Sequence, residues 1–327
     1  MSTARSSSCA ALFALSLLAC DPSDEPASDA GPLADATPPV DASAGEDAGV
    51  PDCTAFSAPT LLGRVDDPRL SELSGIAASR RHPGLFYAHN DSGDLPRLFV
   101  LDESARVVAT IALTGASHVD WEDIAVGPGP DGMPWVFVGD VGDNAARDGS
   151  GAPRSEVIVY RFAEPETAPS GELEVAALAT RLTYPGAPHD CEAIFVDPAG
   201  DLFLLSKENA GPSTLYRAAS PGTAPIALEP VATVTLSPGP SVTAADLSPS
   251  GASLLVRTYT RLHLFTRAPG EPWADALARA PVRVPTQAEL QGEAVAWLES
   301  GGGYVTAPEG SSPPLSRVGV ADPRCAP

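Results

Sequence analysis

The sequence predicts an all-β fold, a β-propeller, from a repeated motif, the spacing of its copies and their short apolar strands. The copies share one apolar position, which is occupied by Ile76, Ile124, Ile194, Leu247 and Val295. These positions lie 48, 70, 53 and 48 residues apart along the chain. Repeats of about 40 to 50 residues that each hold several strands are typical of propeller blades.

Each copy contains short runs of β-forming residues bounded by Gly, Pro or Asp. In the first copy these runs lie in 72–77, 84–90, 97–101 and 107–113. Such runs fit strands that are buried on both faces, as in four-stranded blades stacked around an axis. The long second interval contains a polar, Gly-rich insert at 144–155. A short helix is expected only near 273–280.

The number of copies favours five blades, and six stay open if one copy has diverged too far to recognise. The fifth copy lacks a last strand before the C-terminal Pro327. The apolar segment 59–65 precedes the first copy and is a candidate for this strand. We therefore expect a strand from the N-terminal side of the domain to close the ring.

The first 19 residues have the features of a bacterial targeting segment. Arg5 is followed by an apolar stretch at 9–19, which is too short to span a bilayer. The stretch ends in Leu17-Leu18-Ala19-Cys20, which resembles the lipobox of bacterial lipoproteins. The resemblance implies cleavage before Cys20 and a lipid on its sulfur, the only expected contact with the membrane. An ordinary signal peptide that is cut elsewhere is the alternative.

The rest of the chain divides into a lipidated acidic linker, 20–52, and the propeller domain, 53–327. Residues 21–52 contain nine acids and no lysine or arginine. This composition buries too little apolar surface to fold, so we expect a disordered tether. The formal net charge of -22 argues against nucleic acid as a partner. We expect a protein of the cell envelope, on its periplasmic or extracellular side, with a small molecule or an envelope protein as partner.

The cysteines fit an oxidising compartment. Cys53 is the first residue of the predicted domain, and Cys325 lies near its C-terminal end. The two ends of the chain meet in a closed ring, so a disulfide between Cys53 and Cys325 is expected, the alternative being two unrelated thiols. Cys191 would then be free and buried.

Polar residues recur where the predicted blades open onto the central channel. The start of each first strand and the end of each second strand lie on the same face of a propeller. Two residues before the shared apolar position, the copies have Ser74, Glu122, Glu192, Ala245 and Glu293, with Asp120 and Asp190 just before two of them and Asp123 just after one. Residues at the ends of the second strands are His89, Asn90, Asp91, Asp140, Asp143, Asn144, Lys207, Glu208, Arg257, Tyr259 and Glu309.

These residue types suit a cation site. Crowded carboxylates resist ionisation unless a cation compensates their charge. Oxygen-rich sites favour hard cations, so Glu122, Glu192 and Glu293 are candidate ligands of a divalent ion, and Ca²⁺ is the candidate cofactor. The same glutamates with Lys207, the only lysine, and Arg257 are the candidate catalytic groups. The structural alternative is one acid per blade that accepts hydrogen bonds from loop N–H groups.

Several motifs resemble those of bacterial secreted propeller proteins, over roughly residues 70–315. They are Asp120-Trp-Glu-Asp-Ile-Ala, Gly139-Asp-Val-Gly-Asp-Asn, Val242-Thr-Ala-Ala-Asp-Leu-Ser-Pro, Arg257-Thr-Tyr and Gln291-Gly-Glu-Ala. A looser similarity is to phytase-like secreted propellers. The resemblance implies the fold and no particular activity.

Three functions follow as hypotheses. The first is a surface-tethered module that binds a ligand at the acidic face with a divalent cation. The second is a metal-dependent hydrolase, with phosphate esters favoured over glycosides because aromatic residues make up only 6% of the chain. The third is a structural scaffold of the envelope. The chain has no Gly-x-Ser-x-Gly nucleophile elbow, which argues against a serine esterase of that type.

Overall fold

The computed structural model of the protein describes residues 55–237, 239 and 241–322, all within the compact unit Gly49–Pro327. Cys20, the linker 20–52, Cys53 and Cys325 lie outside the described residues, so the lipid anchor, the tether and the disulfide stay predictions. Cys191 is free and buried, as expected. No helix in the described part of the chain is long and apolar enough to cross a membrane.

The described residues form five β-sheets, which are the blades of a propeller. Blade 1 contains β2 (Leu73–Ala78), β3 (Phe86–Asn90), β4 (Arg97–Leu101), β5 (Val107–Thr114) and β9 (Gly171–Ala176). Blade 2 contains β6 (Trp121–Pro128), β7 (Pro134–Asp140), β8 (Val157–Ala163), β10 (Leu178–Thr183) and β14 (Ile226–Ala227). Blade 3 contains β11 (Cys191–Val196), β12 (Leu202–Ser206), β13 (Ser213–Ala218) and β15 (Glu229–Val234).

The last two blades have four strands each. Blade 4 contains β16 (Val242–Leu247), β17 (Ser253–Thr258), β18 (Arg261–Thr266) and β19 (Val282–Val284). Blade 5 contains β20 (Gly292–Trp297), β21 (Gly303–Pro308), β22 (Pro314–Gly319) and β1 (Thr60–Arg64). The short helices are α1 (Asn144–Asp148), inside the polar insert, and α2 (Trp273–Leu277). The prediction of five blades is confirmed.

The first strands of the blades form the inner ring. β2, β6, β11, β16 and β20 each contact the next one around the axis, and β20 contacts β2. All six residues of β2, β11, β16 and β20 are buried. Neighbouring blades cover both faces of each inner strand, which explains why these strands are buried along their length rather than at alternate positions.

The ring is closed by the N-terminal strand β1, as the sequence predicts. It pairs antiparallel with β22, with Thr60 opposite Arg317 and Arg64 opposite Pro314. Leu62 of this strand packs against the apolar cluster between blades 5 and 1. The first and last strands of the domain therefore share one sheet, and unfolding either one opens the ring.

Each of the five interfaces between neighbouring blades has its own apolar cluster. Between blades 5 and 1, Ile76 and Phe99 face Val305 and Leu315. Burying a side chain of this kind stabilises the fold by roughly 1.5–3 kcal/mol relative to leaving it exposed. The sheets are thus held together by side-chain packing between blades, and the hydrogen bonds hold each blade together internally.

Two blades have a fifth strand that the sequence pattern does not predict. After β8 the chain crosses to blade 1, where β9 pairs in parallel with β5, and then returns to blade 2 as β10. Between β13 and β15 of blade 3, the short strand β14 pairs in parallel with β10 of blade 2. These short strands cover the outer edges of two sheets, and an uncovered edge is a template for pairing with another chain.

Every inner strand contains a β-bulge at the same point of its pairing with the second strand. The bulged residues are Ser74, Glu122, Glu192, Thr243 and Glu293. In blade 4 the sequence repeat predicts Ala245 at the bulge, and this prediction is wrong. Ala245 pairs with Val256 in the same way as Ile194 of blade 3 pairs with Leu204, so Ala245 occupies the shared apolar position. The sequence pattern thus places the shared apolar position of blade 4 at Leu247, two residues beyond its true equivalent, Ala245.

The closing strand gives a matched pair of leucines for testing the ring closure. We expect Leu62→Ala to lower the free energy of unfolding by about 1–2 kcal/mol, because it removes a half-buried side chain from the cluster between blades 5 and 1. Leu61, which is 62% exposed in the same strand, is the control, and Leu61→Ala should change stability by less than about 0.5 kcal/mol. Denaturant unfolding of both variants measures this, and equal effects would contradict the packing of β1.

Candidate functional site

An acidic cavity of about 150 Å³ lies where the inner strands begin. Two positions of each blade supply most of its lining: the bulge position, and the first residue after the second strand, which we call the rim position. The lining residues are Ser74, Glu122, Glu192 and Glu293 from the bulge position, Asp91, Lys207, Tyr259 and Glu309 from the rim position, and Asn144 and Arg147 from α1. Eight of the candidate residues predicted from the sequence therefore line one cavity.

Arg257 is absent from this cavity, because it precedes the rim position by two residues and points between blades 4 and 5. It is fully buried and forms an ion pair with Glu289. Its guanidinium packs on Gly292, where a Cβ atom would lie 1.9 Å from Nη2. The sequence pattern contained no sign of Glu289, which comes from the loop before β20.

Asp123 lies deeper in the ring than the cavity and acts as an anchor for the inner strands. Its carboxylate accepts hydrogen bonds from the N–H groups of Ile124 (2.9 Å), Ile194 (2.8 Å) and Ala245 (3.2 Å), which belong to blades 2, 3 and 4. Burial raises the pKa of Asp123 well above its usual value, against the effect of these donors. The inner edge of each sheet has no strand to pair with, so a central carboxylate meets part of its hydrogen-bonding need.

Asp246 has the same role two blades further on, in blade 4. It accepts from the N–H groups of Leu247 (2.9 Å) and Trp297 (2.6 Å), which links blade 4 to blade 5. Burial raises the pKa of Asp246 to about 6. The structural use of acids considered from the sequence is thus found at Asp123 and Asp246.

Other candidates hold the loops around the mouth. Asn90 accepts from the N–H of Glu72 (3.0 Å) and donates to the Arg69 carbonyl oxygen (2.7 Å). His89 is buried with Nδ1 2.8 Å from the Asn90 carbonyl oxygen, and burial lowers the pKa of His89 to about 4, so its ring is neutral. Glu208 accepts from Ser206 Oγ at 2.8 Å.

Asp140 and Asp143 organise the insert of blade 2. Asp140 forms an ion pair with Arg154 at 2.9 Å. Asp143 caps α1 by accepting from the Ala146 N–H (3.1 Å) and also accepts from the Arg154 N–H (2.7 Å). This arrangement aims Arg147 of α1 at the cavity.

One part of the cavity pairs its acids with cations. Lys207 Nζ lies 2.5 Å from Glu192 Oε1 and 4.8 Å from the centre of the Tyr259 ring. Arg147 Nη1 lies 3.1 Å from Asp190 Oδ2 and 3.6 Å from Glu192 Oε1. Burial raises the pKa of Glu192 to about 7, although Lys207 opposes this shift.

The other part of the cavity has carboxylates without such partners. Oxygen atoms of Asp91, Asp120 and Glu122 lie within 4.8 Å of one another. Glu122 also lies within this distance of Asp190 and Glu192, the two acids of the paired part. Burial, then the charges of Asp91 and Asp190, raises the pKa of Asp120 to about 6. Burial and the charge of Glu192 raise the pKa of Glu122 well above its usual value.

Glu293 lines the cavity but belongs to neither of these carboxylate groups. Burial and the Glu192 charge raise the pKa of Glu293 to about 8. The structure thus brings Glu122 and Glu192 together as possible ligands of one ion, while Glu293 stands apart from them.

Gly142 and Arg147 belong to the site, although the sequence analysis did not select them. At Gly142 a Cβ atom would lie 2.2 Å from Glu122 Oε1 and 2.5 Å from Asp120 Oδ2, so only glycine leaves room for both carboxylates. The motif Gly139-Asp-Val-Gly-Asp-Asn contained this signal, because it places a glycine between acids after the second strand. No sequence pattern indicated Arg147, because its direction toward the cavity depends on the placement of the short helix α1.

The raised pKa values predict how stability depends on pH. A carboxyl group whose pKa is higher in the folded state binds its proton more tightly there, so its contribution is complete at low pH and is lost as pH rises. Without metal, we expect the free energy of unfolding to fall between pH 5 and pH 9, by up to about 1.4 kcal/mol per pH unit for each such group. Glu293→Gln should flatten the curve in the range up to pH 8.

Chemical denaturation at pH 5, 7 and 9 in the presence of a chelator measures this dependence. Glu166→Gln, at an exposed position after β8, is the control and should leave the pH profile unchanged. A profile that is flat in the wild type, or equally steep in Glu293→Gln, would contradict the assignment.

No protein-family model matches this chain, and the comparison with curated proteins found no match. Among solved structures, the chain is similar to the PQQ-bound form of an aldose sugar dehydrogenase from Streptomyces coelicolor. The sequence identity is 14% and the TM-score is 0.46, over 81% of this chain and 98% of that one. A similarity of this size carries no conclusion about a cofactor or a reaction here.

Proposed function

We propose that this protein is a surface-tethered lipoprotein whose propeller face binds a ligand together with a divalent cation, Ca²⁺. The observation that carries the proposal is the group of Asp91, Asp120 and Glu122, whose oxygen atoms lie within 4.8 Å of one another. None of the described residues donates a hydrogen bond to the Asp120 or Glu122 carboxylate, and Glu122 is only 4% exposed.

The charge of this group supports a cation. Three carboxylates this close together cannot all ionise at a buried position unless a positive charge joins them. Arg154, whose charge lowers the pKa of Asp120, already forms its ion pair with Asp140. Calcium takes about six to eight oxygen ligands, which carboxylates supply together with main-chain carbonyls and water.

The paired part of the cavity supports a ligand with a negative or hydroxyl group. Lys207 and Arg147 add positive charge beside the proposed ion, and Tyr259 adds a hydroxyl group. The cavity volume of about 150 Å³ is below the roughly 300–1,000 Å³ of pockets that enclose a whole small molecule. It accommodates an ion and one polar group of a ligand, whose remainder would stay outside the mouth.

The lipid on Cys20 and the acidic tether 20–52 complete the proposal. They would keep the domain at the membrane of the cell envelope, with the lipid as the only anchor, and allow the propeller to move away from the surface. The partner would be a small molecule or an envelope protein.

A metal-dependent hydrolase is the second candidate, and one observation favours it. Glu192 and Glu293, with pKa values raised to about 7 and about 8, would exchange protons near neutral pH beside Lys207. Groups with pKa values near the working pH are the most effective general acids and bases. The small cavity argues for phosphate esters over glycosides, whose sugar rings need more room.

Calcium addition tests the first proposal. We expect calcium to raise the unfolding temperature of the full chain, with a gain of about 2.7 kcal/mol at a concentration 100 times its dissociation constant, and chelator to reverse it. Glu122→Gln should abolish the calcium effect and raise stability without metal, because it removes one of the three repelling charges. The measurement is thermal unfolding with calcium or with chelator.

Glu309→Gln is the matched control, because Glu309 lines the same cavity outside the three-carboxylate group. It should retain the calcium response. An unchanged response in Glu122→Gln, or no response in the wild type, would remove the ion and leave these acids with a structural role.

Hydrolysis of phosphate esters separates the two candidates. If the protein is a hydrolase, it cleaves p-nitrophenyl phosphate in the presence of calcium, and Glu293→Gln lowers the turnover number at least 100-fold with the fold intact. We expect no turnover for the binding module. Turnover that persists in both Glu293→Gln and Lys207→Met would exclude this cavity as an active site.

A further inference from the structure

A second cavity lies between blades 2 and 3, at the end of the ring opposite the acidic cavity. It has a volume of about 290 Å³ and is formed by the turn after β6, the turn after β11 and the loop after β13. Its lining includes Phe137 and the prolines Pro128, Pro130 and Pro221. The only charged residue that lines it is Arg161, from β8.

Arg161 is a buried cation without a counter-charge. It is 3% exposed, and its guanidinium lies 5.4 Å from the centre of the Trp135 ring. Among the described residues, no side chain or carbonyl group accepts a hydrogen bond from it, and its Nε atom is buried without a partner. Burial lowers the pKa of Arg161, and no carboxylate opposes the shift.

Asp201, which follows the lining residue Gly200, is already engaged. Asp201 accepts from Arg217 Nε at 2.8 Å and from the Ser220 N–H at 2.8 Å, so neither oxygen is directed at Arg161. Removing a guanidinium from water without a compensating negative charge is unfavourable. In a chain with 42 acids and 20 bases, leaving this cation unpaired needs an explanation beyond the fold.

We propose that the cavity between blades 2 and 3 binds a small organic carboxylate, which pairs with the Arg161 guanidinium and packs its apolar body on Phe137 and the surrounding prolines. A guanidinium offers two parallel N–H groups, which match the two oxygens of a carboxylate. The ligand supplies the missing counter-charge, and the stacked Trp135 ring holds the guanidinium plane in place.

The hydrogen-bond donors of the cavity favour a carboxylate over a phosphate. Prolines have no N–H group, and four other lining N–H groups already donate within the protein: Gly129 to Met133 O, Ala199 to Asp197 Oδ1, Gly200 to Asp197 O and Ser220 to Asp201 Oδ1. A phosphate group has three acceptor oxygens to satisfy. Apart from the Ser220 hydroxyl, Arg161 is the only side-chain donor that lines the cavity, and its paired N–H groups match the two oxygens of a carboxylate.

Benzoate is a suitable probe, because it joins a carboxylate to a flat apolar ring. At about 30 Å³ per water molecule, the cavity holds roughly ten waters, which is enough space for a molecule of this size. Calorimetric titration of the full chain with benzoate, with the neutral isostere benzamide and with inorganic phosphate measures the preference. We expect benzoate to bind at least tenfold more tightly than either of the other two.

Variants locate the binding. Arg161→Met should abolish benzoate binding and leave stability without ligand unchanged or higher, because it removes an unpaired buried charge. Arg267→Met is the matched control: Arg267 also lies over a tryptophan, 4.3 Å from the Trp273 ring centre, but in blade 4, and this variant should bind benzoate normally. Glu122→Gln should also bind it normally, which separates this cavity from the acidic one.

Three results would overturn the proposal: no binding of benzoate by the wild type, equal binding of benzoate and benzamide, or benzoate binding that survives in Arg161→Met. Phosphate binding as tight as that of benzoate would overturn the assignment to carboxylates. The comparison of the three probes needs only the wild-type chain, so the test stands even if Arg161→Met does not fold.

Discussion

A β-bulge at one point of every inner strand is the constraint on which the acidic cavity depends. The bulge turns one side chain per blade away from the regular alternation and toward the mouth of the channel. Blades 1 and 4 have hydroxyl residues there, and each reaches the next blade: Ser74 Oγ donates to the Glu122 carbonyl oxygen (2.6 Å) and Thr243 Oγ1 to the Gly292 carbonyl oxygen (2.8 Å). Blades 2, 3 and 5 have glutamates, which line the cavity. One backbone irregularity thus both links neighbouring blades and supplies the site.

The buried acids of the ring differ in what compensates their charge. Asp123 and Asp246 lie among main-chain N–H groups of several blades and hold the inner ring together. Glu192 is compensated by Lys207 and Arg147. Glu122 has neither kind of partner among the described residues, so it depends on protons or on a cation. Residue type alone does not distinguish these cases, because each needs a different neighbour in space.

The motif repeat predicted the fold well because each blade is a local unit with its own strands and turns. It predicted the closing strand because the fifth copy lacked one. It failed where a shift of two residues preserves the apolar pattern: Ala245 and Leu247 fit the same alternation, and only the pairing of Ala245 with Val256 settles the register. Arg257 also lies outside the site, since it precedes the rim position by two residues and faces the interface between blades 4 and 5, while Tyr259 lines the cavity.

The sequence by itself determined the four-strand repeat of the blades, favoured five of them and located the two chain positions from which most of the acidic cavity is built, because these follow from local periodicity and turns. Only the tertiary structure decided the partners of each charged side chain. The inward direction of Arg147, the pairing of Arg257 with Glu289 and the lack of a counter-charge at Arg161 all depend on contacts between loops or blades that are distant in sequence. Charge compensation acts over a few ångströms in space, and a linear pattern does not specify which residues come that close.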